Sequence, residues 1–408
     1  MSINIPDIAM KIQRIYEKIV KAHLAQYRQM VFLSGPRQVG KTTLSKIFAS
    51  FYLDWDNVDS RSLILKGPAT IYEKAASKLT PEMPVVAFDE IHKYRQWKNF
   101  LKGFFDTYEN DMKVIATGSA KMDIYARGGD SLMGRYFPYR VHPFTVAELL
   151  DGDIPSESQL IAPPRLLDES SWQVLLTHGG FPEPFVRREI TFTRRWRTLR
   201  TAQLLKKDVL DLYRTTELAQ LEVLAKLLAN RSGEQLVAAS LSNEIRVSEN
   251  TIREWISLFK TLYYGFEIRP WFKNIENSLR KTPKWYLRDW SMVADEGKRA
   301  ETLVACHLLK AVEGWTDLGF GKFELFYLRD KQKREVDFLV SRDDEPWFLV
   351  EVKKSDSAIS PQFEFFQKAT HAQHAFHVVL EAPYVEADCF SRAKPVVVPA
   401  LTFLSQLF

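Results

Sequence analysis

The sequence predicts an α/β protein whose first sheet is mainly parallel. The apolar runs MVFL (30–33), FYLDW (51–55), VVAFD (85–89) and VIATG (114–118) are separated by helical patterns, and strand alternating with helix builds parallel sheets. A second α/β alternation starts near residue 291. At 408 residues the chain is too long for one core, so two or three domains are expected.

Composition narrows the class. The apolar fraction is 46%, with 27 Phe, 15 Tyr and 10 Trp, enough for several cores and unlike a disordered chain. A net charge of +5 permits nucleic-acid contact without demanding it. Cys306 and Cys389 are the only cysteines and lie far apart, which gives no basis for a disulfide framework or a Cys-based zinc site. The opening MSINIPDIAMKIQR has no apolar targeting run, and no window reaches the roughly 18 apolar residues of a membrane span. A cytoplasmic protein with no membrane partner is the expectation.

The elements follow in order. Residues 8–27 read as an amphipathic helix with Ile12, Ile15, Tyr16 and Ile19 on one face. MVFL is bounded like a buried parallel strand, and a helix over 41–50 follows it. The clearest later helix is 96–109. GDIPSESQLIAPPR (152–165), with three prolines, reads as a boundary, and 170–230 is largely helical with a break at GGFPEP (179–184). A short helix (241–245), a turn and a longer helix (249–259) precede the strand-like YYGFEIRPW (263–271), a winged helix-turn-helix pattern. A helix (299–312), strands at 323–330, 334–341 and 347–355, a helix (361–371) and a strand (376–380) complete the chain. The expected divisions are 1–150, 151–215, 216–290 and 291–408.

Residues 35–42, GPRQVGKT, fit G-x-x-x-x-G-K-[ST] between a strand and a helix. Gly35, Pro36, Arg37, Gln38, Val39, Gly40, Lys41, Thr42 and Thr43 form the expected phosphate cradle. The glycines let the loop bend and bring backbone N–H groups to phosphate oxygens, and the helix start presents its positive dipole end. Lys41 is expected on the β- and γ-phosphates of ATP and the Thr42 hydroxyl on Mg²⁺. VVAFDE supplies the partners: Asp89, at a strand end, to hold the magnesium, and Glu90 to polarise an attacking water.

With FDEIHK, ATGSAK (116–121), GRYFPYRVHPFTVAEL (134–149), GGFPEP, KTPKWYLRDWSM (281–292) and EVDFLVSR…LVEVKKS (335–355), the chain resembles the bacterial and archaeal AAA-type ATPases that carry a C-terminal DUF4143 domain. The resemblance spans nearly the whole chain. It implies a P-loop fold of the additional-strand class, with Ser119 at the end of the strand beside the P-loop strand. It also makes Arg135 a candidate γ-phosphate or trans-acting arginine, the one hint of a homo-oligomer; an ordinary ion pair is the other reading.

In the middle, Ile252, Trp255, Ile256 and Phe259 should face inward. Arg253 and Arg246 suit DNA, Glu249 and Glu254 oppose phosphate, and Arg269, Lys273, Arg280, Lys281 and Lys284 make the wing basic. DNA contact and a lid or protein-contact role both stay open. In the C-terminal part, Asp337, Glu351 and Lys353 form D-x13-E-x-K on two strands. Side chains alternate along a strand, so Glu351 and Lys353 share a face. With Glu301 as third carboxylate they resemble the PD-(D/E)XK nuclease core, with Val336 where proline is usual. Such a set would hold a second Mg²⁺ or Mn²⁺ for phosphodiester cleavage. An inactive nuclease-like fold that only binds nucleic acid or protein is the alternative. His371, His374 and His377 lack neighbouring acids and are not promoted to a metal site.

Overall fold

The computed structural model describes residues 12–77, 83–118, 132–209, 217–271, 282–356 and 358–408. They fall into two compact units, Gln13–Pro143 and Phe144–Phe408, with Ile12 counted in the second.

The N-terminal unit runs α1 (Ile15–Gln26), β1 (Met30–Ser34), α2 (Lys41–Phe48), β2 (Phe51–Asp54), α3 (Val58–Lys66), α4 (Pro68–Ala76), β3 (Val85–Asp89), α5 (Trp97–Tyr108), β4 (Lys113–Thr117) and β5 (Tyr136–Arg140). The strands order as β2-β3-β4-β1-β5, every neighbouring pair parallel. β4 therefore lies between β1 and β3, as an additional-strand fold requires. β1 is buried at all five positions, which is why it reads as an unbroken apolar run. The sequence reading missed β5. Its Pro138 cannot donate to a ladder and only Tyr139 is buried, so it carries neither a periodic nor an apolar signal, and it sits at the sheet edge.

α5 buries Trp97, Phe100, Leu101, Phe104 and Phe105, the i, i+3, i+4, i+7, i+8 stripe of a core-facing helix. Phe88 of β3 meets Phe100 and Phe104 edge-on at 5.4 and 5.3 Å between ring centres. Each such ring removed from water is worth roughly 1.5–3 kcal/mol, and this stack fixes the strand that ends in Asp89. In α1, Ile15, Tyr16 and Ile19 are buried as expected, and Ile12 is half-buried ahead of it.

The C-terminal unit begins with α6 (Val146–Leu149), α7 (Glu169–His178), α8 (Pro182–Arg187), α9 (Ile190–Gln203) and α10 (Leu218–Asn230). The break at GGFPEP is Gly179 at φ 81° closing α7 and Pro182 opening α8. α11 (Ala238–Ile245) and α12 (Glu249–Thr261) are a short and a longer helix joined by a turn. Ser248 caps α12 by accepting from Thr251 N at 3.1 Å, and Ile252, Trp255, Ile256 and Phe259 are buried as expected.

The strand expected as a wing is β6 (Gly265–Pro270), and it does not stand apart. It pairs with β7 (Lys284–Leu287) and β8 (Phe323–Arg329) in a mixed sheet ordered β12-β11-β10-β9-β8-β6-β7. The sheet thus takes strands from both sides of residue 290. The others are β9 (Glu335–Arg342), β10 (Glu345–Lys353), β11 (His374–Val379) and β12 (Val396–Pro399), with helices α13 (Glu296–Asp317), α14 (Pro361–Thr370) and α15 (Ala400–Ser405). The expected wing residues Lys273, Arg280 and Lys281 lie outside the described residues.

α13 carries a fully buried ion pair. Lys310 Nζ lies 2.5 Å from Glu148 Oε2 of α6, both side chains 0% exposed, and donates to Thr145 Oγ1 at 3.1 Å. One turn earlier, His307 Nδ1 faces Leu303 O at 2.8 Å while Nε2 accepts from Val146 N at 3.1 Å, which fixes a neutral imidazole. Burial, with help from the Lys310 charge, pulls the His307 pKa down to about 3.

Two expectations follow. Lys310→Met should cost about 3–5 kcal/mol in denaturant unfolding by stranding Glu148, and Lys310→Met with Glu148→Leu should recover most of that. Because folded His307 resists the proton that the unfolded chain accepts, its contribution is complete above about pH 6.5 and is lost as pH falls toward 3. Stability of the native chain should drop faster than that of His307→Gln across this window, by about 1.4 kcal/mol per pH unit.

Candidate functional site

The loop after β1 has the backbone a phosphate cradle needs. Gly35 (φ 135°) and Gly40 (φ 101°) take conformations that side chains resist, and Gln38 is left-handed at φ 62°. A Cβ on Gly35 would stand 2.3 Å from Val141 O, so glycine is required by space as well as angle. Val39 is fully buried, Arg37 half-buried, and Thr43 exposed on the first turn of α2. Gly40 precedes α2, whose first amide groups point toward the loop.

Lys41 Nζ donates to Gly35 O at 2.8 Å and to Pro36 O at 2.7 Å. Its ammonium is thus held inside the loop that would surround an anion. Thr42 Oγ1 donates to Asp89 Oδ2 at 2.8 Å. Tyr52 OH donates to the same oxygen at 2.5 Å, and Thr117 Oγ1 donates to Asp89 Oδ1. Burial and the Asp89 carboxylate push the Tyr52 phenol far above its ordinary range, so it stays a donor. The residues fit a Mg–nucleotide: an amide-lined loop, a cation within it, and a hydroxyl and carboxylate side by side at its foot.

Glu90 follows Asp89 with a left-handed backbone (φ 53°), its N–H donating to Thr117 Oγ1 at 3.3 Å. Its carboxylate pairs with Lys93 Nζ at 3.1 Å, while Lys93 also reaches Asp56 at 2.5 Å. Burial opposes the Lys93 charge, but Asp56 and Glu90 together raise its pKa. Ser119 lies outside the described residues; Gly118 just before it donates to Leu33 O of β1 at 3.2 Å. Arg135 does not join the cradle. It precedes β5, its carbonyl accepting from Met30 N, so it is at the amino end of the sheet while the loop is at the carboxyl end. There it forms a two-pronged pair with Asp106, at 2.6 and 2.9 Å, and that hydrogen bonding lowers the Asp106 pKa.

Arg14, Tyr52 and Thr117 were not singled out in the sequence. Arg14 donates to Val39 O at 2.7 Å and to His142 O at 2.6 Å, tying the loop to the segment after β5. Tyr52 could have been suspected from its place in an alternating strand; nothing local marks Arg14.

The C-terminal carboxylates lie together, around a different cation. On β9 and β10, Phe338 pairs with Val350, so one register step further sets Asp337 opposite Glu351. Asp337 Oδ2 accepts from Val352 N at 2.8 Å. Lys284 Nζ of β7 lies 2.6 Å from Glu335 Oε1, 3.1 Å from Glu301 Oε1 and 3.9 Å from Asp337 Oδ1. Tyr286 OH donates to Glu301 Oε1 at 2.6 Å, and Glu351 pairs with Lys353 at 3.0 Å. Burial and the Glu301 charge raise the Asp337 pKa. Among the described residues no group of three or more His, Cys, Asp and Glu side chains is arranged to hold a metal ion. The expected trio of Glu301, Asp337 and Glu351 is divided between two lysines, and Glu351 Oε2 is buried without a hydrogen-bond partner. From the sequence, Lys284 was expected only as a wing residue.

Comparison with known proteins bears on the domains of the chain. Residues 27–150 match the family model of an AAA domain. Residues 169–297 match a domain of unknown function, DUF8612, and 296–388 match another, DUF4143. With the strand order and the loop, these support an AAA-type ATPase domain followed by a DUF4143 stretch. Uncharacterized proteins of Mycobacterium bovis and Mycobacterium tuberculosis are each 23% identical over 335 residues, 80% of this chain and 71% of theirs. An uncharacterized protein of Methanocaldococcus jannaschii is 23% identical over 301 residues, 66% of this chain and 62% of its own. Among solved structures, a DNA polymerase III gamma subunit-related protein from Thermotoga maritima aligns at 12% identity and TM-score 0.26, covering 60% of this chain and 97% of that one. A STAND-type signal transduction ATPase from Pyrococcus horikoshii aligns at 11% and 0.22, covering 74% and 47%. At such TM-scores nothing about this chain follows from either. Among the described residues no helix is long and apolar enough to cross a membrane.

The loop's demand for glycine can be measured. Gly35→Ala should destabilise the N-terminal unit by at least about 2 kcal/mol in urea unfolding, through strain and overpacking. Gly103→Ala, where a Cβ on α5 meets open space, should instead stabilise it by about 0.5–1 kcal/mol.

Proposed function

We propose that the chain is a Mg-ATP-binding and ATP-hydrolysing switch. The observation that carries this reading is the hydrogen bond between Thr42 and Asp89 at the foot of a loop that already encloses the Lys41 ammonium. Lys41 exchanges the carbonyls of Gly35 and Pro36 for phosphate oxygens, and the loop amides supply the remaining donors. Thr42 and Asp89 would hold Mg²⁺, which neutralises charge on the β- and γ-phosphates when bound. Tyr52 and Thr117 keep the Asp89 carboxylate aimed by donating to it. Glu90 is the base that orients water, and it must part from Lys93 to act, a step that suits slow turnover and a switch.

The C-terminal unit is, in this reading, a binding module for nucleic acid or protein. The helix-turn-helix supports nucleic acid by architecture, while its exposed Arg253 is paired with Glu249 at 3.4 Å.

Nucleotide binding and phosphate release on purified chain test the reading. Lys41→Ala should abolish ATP binding; tight binding in that variant would end the P-loop assignment. Glu90→Gln should bind ATP as the native chain does and hydrolyse it about 10²–10⁴-fold more slowly.

A further inference from the structure

We propose that Lys284 is the resident cation of the C-terminal carboxylate set, and that this set takes no divalent metal. The inference rests on the C-terminal unit alone and is independent of the ATPase reading.

The geometry is that of a filled centre. The Lys284 ammonium faces oxygens from α13 and β9, with Glu335 at 2.6 Å, Glu301 at 3.1 Å and Asp337 at 3.9 Å. A divalent cation needs those oxygens at roughly 2.0–2.6 Å from its own centre, which is the space the ammonium occupies. Lys284 is not placed to swing away. It is 4% exposed, and its backbone lies between Ile268 of β6 and Gln235. Its ammonium also lies 5.6 Å from the centre of the Tyr327 ring.

The neighbours complete the arrangement. Tyr286 is two residues on, on the same face of β7, and its hydroxyl takes up Glu301 Oε1. Arg329 holds the other Glu335 oxygen at 2.5 Å. Val352 N holds the second Asp337 oxygen, and Glu351 is turned to Lys353. Glu301, Glu335 and one Asp337 oxygen are thus engaged by donors of the chain itself, while Glu351 is held by Lys353 at one oxygen and its Oε2 is buried without a hydrogen-bond partner. Removing Lys284 leaves Glu301, Glu335 and Asp337 as close like charges in partly buried surroundings, which is where a divalent ion would be drawn. The K-x-Y pair of the KTPKWYLRDWSM segment belongs to this centre, and the set is a charge-locked tie between β7, α13 and β9.

Mn²⁺ titration of the full chain without nucleotide, followed by electron paramagnetic resonance and thermal unfolding, tests this. Native chain and Asp337→Asn should bind Mn²⁺ equally. Lys284→Ala should melt lower, bind Mn²⁺ at least about tenfold more tightly than native, and regain melting temperature as Mn²⁺ is added. The gain should vanish in Lys284→Ala with Asp337→Asn. Native Mn²⁺ binding that Asp337→Asn removes would overturn the proposal, as would folded Lys284→Ala with unchanged Mn²⁺ affinity. If Lys284→Ala does not fold, the native and Asp337→Asn pair decides alone.

Discussion

The N-terminal unit depends on one carboxylate. Asp89 ends β3, and its two oxygens accept from Thr42 on α2, Tyr52 on β2 and Thr117 on β4. Hydroxyls from three elements thus converge on one side chain that is only 3% exposed. Buried acceptors are costly when unmatched and strong when fully matched. The set sits where the loop after β1 meets the strand ends, so stabilising the sheet and aligning the phosphate site are the same act. The aromatic stack of Phe88, Phe100 and Phe104 holds β3 from behind and keeps Asp89 from drifting.

The C-terminal unit meets a comparable need differently. There several acids share a partly buried space, and lysines supply the counter-charge. The contrast is instructive about carboxylates at strand ends. In one unit neutral donors surround an acid. In the other a buried ammonium lies among the acids. Counting acidic residues in a motif cannot separate these cases, because the deciding group comes from another part of the chain.

That is also where the sequence was legible and where it was not. β1, β3 and β4 could be read because buried parallel strands are apolar throughout, and the cradle because its glycines, lysine and threonine are local in sequence. α12 could be read from Ile252, Trp255, Ile256 and Phe259 at helical spacing. β5 could not, since an edge strand with a proline has no such pattern. Nor could the place of β6, because a strand following two helices looks like a wing until its partners are known. Lys284 was hidden for a related reason: it lies 17 residues before Glu301 and more than 50 before Asp337, and only the fold brings them together. Arg135 sits at the amino end of the sheet and pairs with Asp106, away from the loop of its own chain.

The strand order has a consequence for synthesis. β1, at residues 30–34, is flanked in the sheet by β4 and β5, which arrive only at 113–117 and 136–140. The loop that follows β1 leans on the carbonyl of Val141 and is tied by Arg14 to His142. A ribosome-bound chain therefore carries the whole GPRQVGKT motif for about a hundred residues before the motif has a scaffold. Chains lose the entropy of closing such long loops before contacts repay it, so this unit should close late and all at once. The C-terminal unit is later still: Phe408 packs against Gly314, and Gln406 hydrogen-bonds Ala162. The last packing partners of the two units thus leave the ribosome at different moments of translation, those of the loop after β1 well before those of the C-terminal unit.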